Sequence, residues 1–117
     1  MIRRCSFQDK FTLEERTKES ARVREKYNNK IPVIIEAIND KIKPIDKTKY
    51  LVPSDMTMGQ LLFVVRKRIK LESTEALYLM VEKTIYPTSV SLAVVYDKEK
   101  NEDGFLYVTY CQENTFG

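Results

Sequence analysis

The sequence predicts one α+β domain built around a small mixed sheet. Two capping boxes, Thr12-Leu13-Glu14-Glu15 and Thr57-Met58-Gly59-Gln60, each open a helical stretch. Short β-branched and aromatic runs lie between and after them, and the order reads helix, strand, strand, helix, strand, helix, strand. With 117 residues the chain has room for one modest core.

Residues 1–10 read as a loose arm or a short extra helix. The first capped helix should run from Thr12 to about Tyr27, where Asn28-Asn29 ends it. Its apolar stripe is thin (Leu13, Ala21, Val23, Tyr27), so one narrow side packs and the rest faces water. Residues 30–36 read as a strand that is apolar on both faces, and Pro32 suggests an edge or bulge position because it cannot donate to a ladder. Residues 37–48 connect to a second short strand at 49–53. The helix opened by Thr57 continues to Ile69 with Met58, Leu62, Val65 and Ile69 on one stripe and Leu61, Val64 and Arg68 on a spare neighbouring one. Residues 77–81 read as a strand, residues 89–99 as a short helix, and 101–104 as a turn. Residues 105–110 form the strongest strand, apolar on both faces and therefore central, added parallel to the first strand. Nothing in residues 112–117 gives them a reason to fold.

Composition excludes much chemistry. The chain has no histidine, which removes Ser-His-Asp triads, Cys-His dyads and histidine metal sites. Two cysteines, Cys5 and Cys111, cannot build a four-thiolate zinc site. Three glycines make no phosphate-binding loop. No enzyme, metal or cofactor is expected. The net charge of +3 is uneven: residues 41–70 carry eight basic and two acidic side chains, whereas residues 71–117 carry three and eight. The basic part favours acidic partners or anionic headgroups, or is a solvated face. No apolar run approaches the ~20 residues of a membrane span, and the N-terminus lacks the apolar core of a signal peptide. A cytosolic or nuclear protein with free thiols is expected.

Three constellations carry possible function. Residues 104–110 approach an RNA-binding signature, but Asp103 stands where a basic residue belongs and Leu106 where a small one does. A buried core strand is the better account, and nucleic-acid binding is not expected. Pro32, Ile34, Leu51, Val23 and Phe105 can converge into an apolar pocket rimmed by Lys49 and Glu19, an invitation to a β-augmenting peptide. Alternatively the N-terminal helix simply covers this face. The C-terminal Gly117 offers a carboxylate with no Cβ beside it, suited to activation and transfer through thioesters to an amine; on composition alone an incidental glycine is the better account.

Together these residues resemble the autophagy ubiquitin-like modifiers, the group that includes the microtubule-associated protein light chain and GABA-receptor-associated protein. The matching blocks are Ile31-Pro32-Val33-Ile34, Asp46-Lys47-Thr48-Lys49-Tyr50-Leu51-Val52-Pro53, Gly59-Gln60, Val65-Arg66-Lys67-Arg68-Ile69, Asp103-Gly104-Phe105-Leu106-Tyr107-Val108-Thr109-Tyr110 and Glu113-Asn114-Thr115-Phe116-Gly117. The resemblance covers roughly residues 11–117. The resemblance implies a ubiquitin-like β-grasp with two N-terminal helices, divided into a helical extension (1–27), a β-grasp core (28–111) and a conjugation tail (112–117). It implies that Gly117 is joined to phosphatidylethanolamine by an adenylating and a transfer enzyme, with a cysteine protease for processing and deconjugation. The chain would be cytoplasmic when free and autophagosomal when lipidated; the alternatives are an unconjugated peptide-binding adaptor of the same fold and, behind it, a basic nucleic-acid-binding domain.

The same resemblance implies docking of receptors that carry aromatic-x-x-aliphatic peptides. Glu19, Val23, Lys30, Pro32, Ile34, Lys49, Leu51 and Phe105 would serve the aromatic. Tyr50, Val52, Pro53, Met56, Leu61, Val64 and Arg68 would serve the aliphatic residue. A second docking patch maps to Leu77, Tyr78 and Leu79. Lys30 stands where the family usually has Arg, Val23 replaces a commoner Ile, and Leu61 replaces an aromatic. Residues 1–10 match no block, and nothing follows Gly117, where family members often carry residues that a protease removes.

Overall fold

The computed structural model describes residues 6–72 and 75–112. Expectations that fall on Cys5 and on the 113–117 tail with Gly117 lie outside them.

Helix α1 (Ser6–Lys10) leads into α2 (Leu13–Lys26), then β1 (Lys30–Ala37), β2 (Lys49–Pro53), α3 (Met58–Ile69), β3 (Tyr78–Val81), β4 (Thr84–Ile85), α4 (Leu92–Glu99) and β5 (Leu106–Cys111). Both capping boxes form: Thr12 accepts from the Glu15 amide at 3.1 Å while Glu15 accepts from the Thr12 amide at 2.8 Å. Thr57 and Gln60 do the same for α3 at 3.2 and 2.9 Å. Each box satisfies two amides that a helix start leaves unpaired.

The sheet order is β2-β1-β5-β3-β4. β1 runs antiparallel to β2 and parallel to β5, so β5 is central as expected. Odd-numbered residues of β1 and even-numbered residues of β5 face α3 and α4 and build the main core, with Ile31, Val33, Ile35, Leu106, Val108 and Tyr110 against Leu61, Val65, Leu92 and Val95. On the other face Ile34 and Phe105 meet Phe7 in a smaller cluster beneath α1. Cys111 is a free, buried thiol, and burial pushes it above the ordinary cysteine range.

Four expectations change. β1 is internal rather than an edge. Its Ile35 amide donates to Thr48 O, so by alternation the Pro32 nitrogen faces the β5 side, where pairing begins only at Val33. The proline therefore interrupts no ladder. In α3 the buried stripe is Met58, Leu61, Val65 and Ile69, so Leu61 takes the core position and Leu62 packs beside it; both registers satisfy helical spacing. β4 is additional. Its turn places Glu82 and Lys83 at φ 49° and 69°, the left-handed pair that a two-residue hairpin needs, without the Asn-Gly that usually signals one. Finally, α4 begins at Leu92, capped by Ser91.

Candidate functional site

β2 pairs with β1 alone among the described strands. Val52 and Tyr50 lie opposite Ile31 and Val33; by the alternation that the Ile35–Thr48 bond sets, the peptide groups of Lys49 and Leu51 point outward from the sheet. These outward groups make β2 an open sheet edge. A depression lies at each end of it.

At the Lys49 end is a cavity of about 250 Å³ lined by Phe7, Phe11, Glu15, Arg16, Glu19 and Lys49. Glu19 is its charged gate: Lys49 Nζ donates to Oε2 at 2.9 Å, and Arg22 reaches Oε1 at 2.7 Å. The Lys49 hydrogen bond, then that of Arg22, holds the Glu19 carboxyl below the usual glutamate range. Of the residues expected around the aromatic, Glu19 and Lys49 line this cavity, and Leu51 and Val23 are half-buried nearby. Pro32 is buried, Ile34 is 1% exposed and Phe105 0%. Ile34 and Phe105 lie under Phe7 of α1 instead of facing solvent. Lys30 is half-buried, with its ammonium 5.7 Å from the Tyr27 ring centre and its carbonyl accepting from Arg24.

At the Pro53 end a shallow groove of about 620 Å³ runs along Pro53, Asp55, Met56, Thr57, Gly59, Gln60, Phe63, Val64 and Thr88. Pro53, Met56 and Val64 were expected there. Tyr50, Val52 and Leu61 are core residues, so they support the groove from below; burial pushes the Tyr50 hydroxyl up. Arg68 is exposed and paired with Asp46 at 3.2 Å. In the third expected patch Leu77 and Leu79 are buried in the main core, because alternation along β3 sends Leu79 inward, and Tyr78 alone is half-exposed. Sequence reasoning missed Phe7, Phe11 and Phe63. The i, i+4 spacing of Phe7 and Phe11 was the available signal for α1.

Behind the cavity, α2 is locked to the start of β5. Asp103, with no exposed surface, accepts from Arg16 at 2.8 Å, from the Tyr107 hydroxyl at 2.5 Å and from the Phe105 amide at 2.9 Å. Ser20 donates to the Asp103 carbonyl. Burial first, and then the bond to Asp103, pushes the Tyr107 hydroxyl far above its ordinary value. Asp103 is thus a structural hub of this wall.

A five-stranded mixed sheet crossed by α3, with two leading helices and an open edge strand, matches one family. A family model described as "Autophagy protein Atg8 ubiquitin like" covers residues 15–117. The chain belongs to the Atg8 family. It is 50% identical to Autophagy-related protein 8 of Schizosaccharomyces pombe over 115 residues, covering 97% of this chain and 95% of that protein. Autophagy-related protein 8c of Arabidopsis thaliana is 52% identical over 113 residues, covering 96% and 95%. The crystal structure of Trypanosoma brucei ATG8 superposes with a TM-score of 0.90 at 41% identity, covering 98% of this chain and 100% of that one. The chain is therefore an Atg8-type ubiquitin-like modifier of autophagy with a ubiquitin-like fold. Family members function in autophagosome formation and work with the partners of a conjugation pathway. No helix among the described residues is long and apolar enough to cross a membrane.

Proposed function

We propose that this Atg8 protein is attached to membranes through Gly117 and docks receptor peptides along β2. An adenylating enzyme would activate the Gly117 carboxylate with ATP, releasing pyrophosphate. An enzyme cysteine thiolate would then displace AMP to form a thioester, and the acyl group would pass from that cysteine to a second by thioester exchange. The amine of phosphatidylethanolamine would then attack, expelling the thiolate and leaving an amide. A cysteine protease would process or reverse the linkage. Residues 1–27 act as a helical extension, 28–111 as the β-grasp core and 112–117 as the conjugation tail. The free form is cytoplasmic and the lipidated form sits on the autophagosomal membrane.

The observation that carries the docking half is the open edge of β2, with the Lys49 cavity at one end and the Pro53 groove at the other. An aromatic-x-x-aliphatic peptide with its aromatic at the Lys49 end and its aliphatic residue at the Pro53 end runs parallel to β2. Its backbone would pair with the outward groups of Lys49 and Leu51. Lys30 and Lys49 would attract acidic residues preceding the aromatic, a salt-sensitive contribution. Tyr78 is the surface member of a second, smaller patch. Calorimetry with such a peptide tests the groove: Leu51→Ala should weaken binding by roughly 1–3 kcal/mol, as truncation of an interface anchor does. Unchanged affinity would mean that the peptide binds elsewhere.

A further inference from the structure

The floor expected for the aromatic pocket is already occupied, and the occupant belongs to this chain. Phe7 of α1 lies on Ile34 and Phe105. Its ring centre is 5.1 Å from that of Phe105 in an edge-to-face arrangement, and 6.5 Å from that of Tyr107. Only 8% of Phe7 stays accessible. This is the geometry that two aromatic rings favour, and the contact that a docked aromatic side chain would itself seek. Phe7 lines the Lys49 cavity, whereas Ile34 and Phe105 are not among its lining residues. A ring entering there meets Phe7 before it meets Ile34 or Phe105.

We propose that Phe7 is an internal competitor for the aromatic pocket: it fills the Ile34–Phe105 floor in the free protein, and a docked aromatic residue displaces it together with α1. The proposal rests on the peptide-docking function proposed above. α1 is suited to leaving. It has five residues, too few for a helix to persist in water without packing. At its junction with α2 it is tied by Arg16 Nε donating to Phe11 O at 3.2 Å. α2 stays behind, because Arg16 and Ser20 anchor it to Asp103. Among the described contacts, Phe7 is the residue that seats this short segment on the sheet, and such a segment opens locally while the rest of the domain remains folded. The observed dissociation constant is then the intrinsic one divided by the fraction of molecules with the pocket open. If Phe7 is seated nine-tenths of the time, removing it tightens binding about tenfold.

The chain contains no tryptophan, so Phe7→Trp in the full chain gives a single indole at the plug. The probe is a peptide with Phe or Tyr as its aromatic, which adds no indole emission. Saturating it should shift the emission to the red as the indole leaves the floor. In parallel, Phe7→Ala should bind the same peptide about tenfold tighter than the wild type by calorimetry. An unshifted emission with peptide bound, or a Phe7→Ala variant that binds no tighter, overturns the proposal and makes Phe7 a fixed wall of the site. Should Phe7→Ala lose its fold by circular dichroism, the indole shift alone decides. Absence of binding to both wild type and Phe7→Ala overturns the docking function itself, and the competitor role with it.

Discussion

Asp103 is a charged side chain with no exposed surface, and Arg16, Tyr107 and the Phe105 amide saturate it. Removing it leaves the Arg16 guanidinium facing a buried wall. Asp103→Ala should lower stability by about 3–5 kcal/mol in urea denaturation; a loss below 1 kcal/mol would mean that the network is not coupled. Gly104 next to it sits at φ 90°, and a Cβ there would collide with Ser20 Oγ. Gly104→Ala should therefore cost at least about 1–3 kcal/mol from backbone conformation alone. Glu19 gives a pH prediction. Its folded pKa is lowered by Lys49 and Arg22. The stabilisation it supplies is thus complete above the ordinary glutamate value of about 4.3 and is lost as pH falls through the lowered folded value. An NMR titration of the Glu19 carboxyl should show a depressed midpoint that moves upward in Lys49→Met. A midpoint indifferent to Lys49 would break the gate assignment.

Among the elements, the capped helices were the most legible because a capping box is a local code. Four residues decide it, whatever the tertiary surroundings. Thr12→Ala and Thr57→Ala should each cost about 1 kcal/mol in thermal or urea unfolding. The central parallel placement of β5 was also readable, since a strand apolar on both faces needs cover on both. What escaped depended on long-range geometry. The choice between Leu61 and Leu62 for the core turns on how α3 is rotated over the sheet, a rotation that helical periodicity leaves open. Pro32 pointed to an edge, yet a staggered register lets an internal strand carry it. β4 was hidden because Glu82 and Lys83 adopt left-handed backbone without glycine or asparagine. The pocket lists were legible as positions along the chain. Which of those positions face solvent was not, because that depends on where α1 seats Phe7, a long-range contact that the local pattern of residues 1–10 leaves open.

Across the whole molecule, the sheet separates two environments. One face carries the main core under α3 and α4, and the other carries the smaller Phe7–Ile34–Phe105 cluster under α1. β2 joins them at the edge, so a strand added there touches both the Lys49 cavity and the Pro53 groove. β2 is paired to β1 on its inner side and bonded to α2 through Lys49 and Glu19, while its outer backbone groups stay unpaired within the sheet. The proposed role of this Atg8 protein is that of a modifier whose Gly117 carboxylate becomes an amide of phosphatidylethanolamine. The most direct measurement is a reconstituted conjugation reaction with the cognate adenylating and transfer enzymes, ATP and phosphatidylethanolamine liposomes, read by intact mass. The expected result is a mass increase of one lipid less one water, abolished or strongly slowed in Gly117→Ala while the circular dichroism spectrum stays native. No adduct from wild type with enzymes proven active on a control substrate, or full lipidation of Gly117→Ala, would contradict it and leave an unconjugated peptide-docking module.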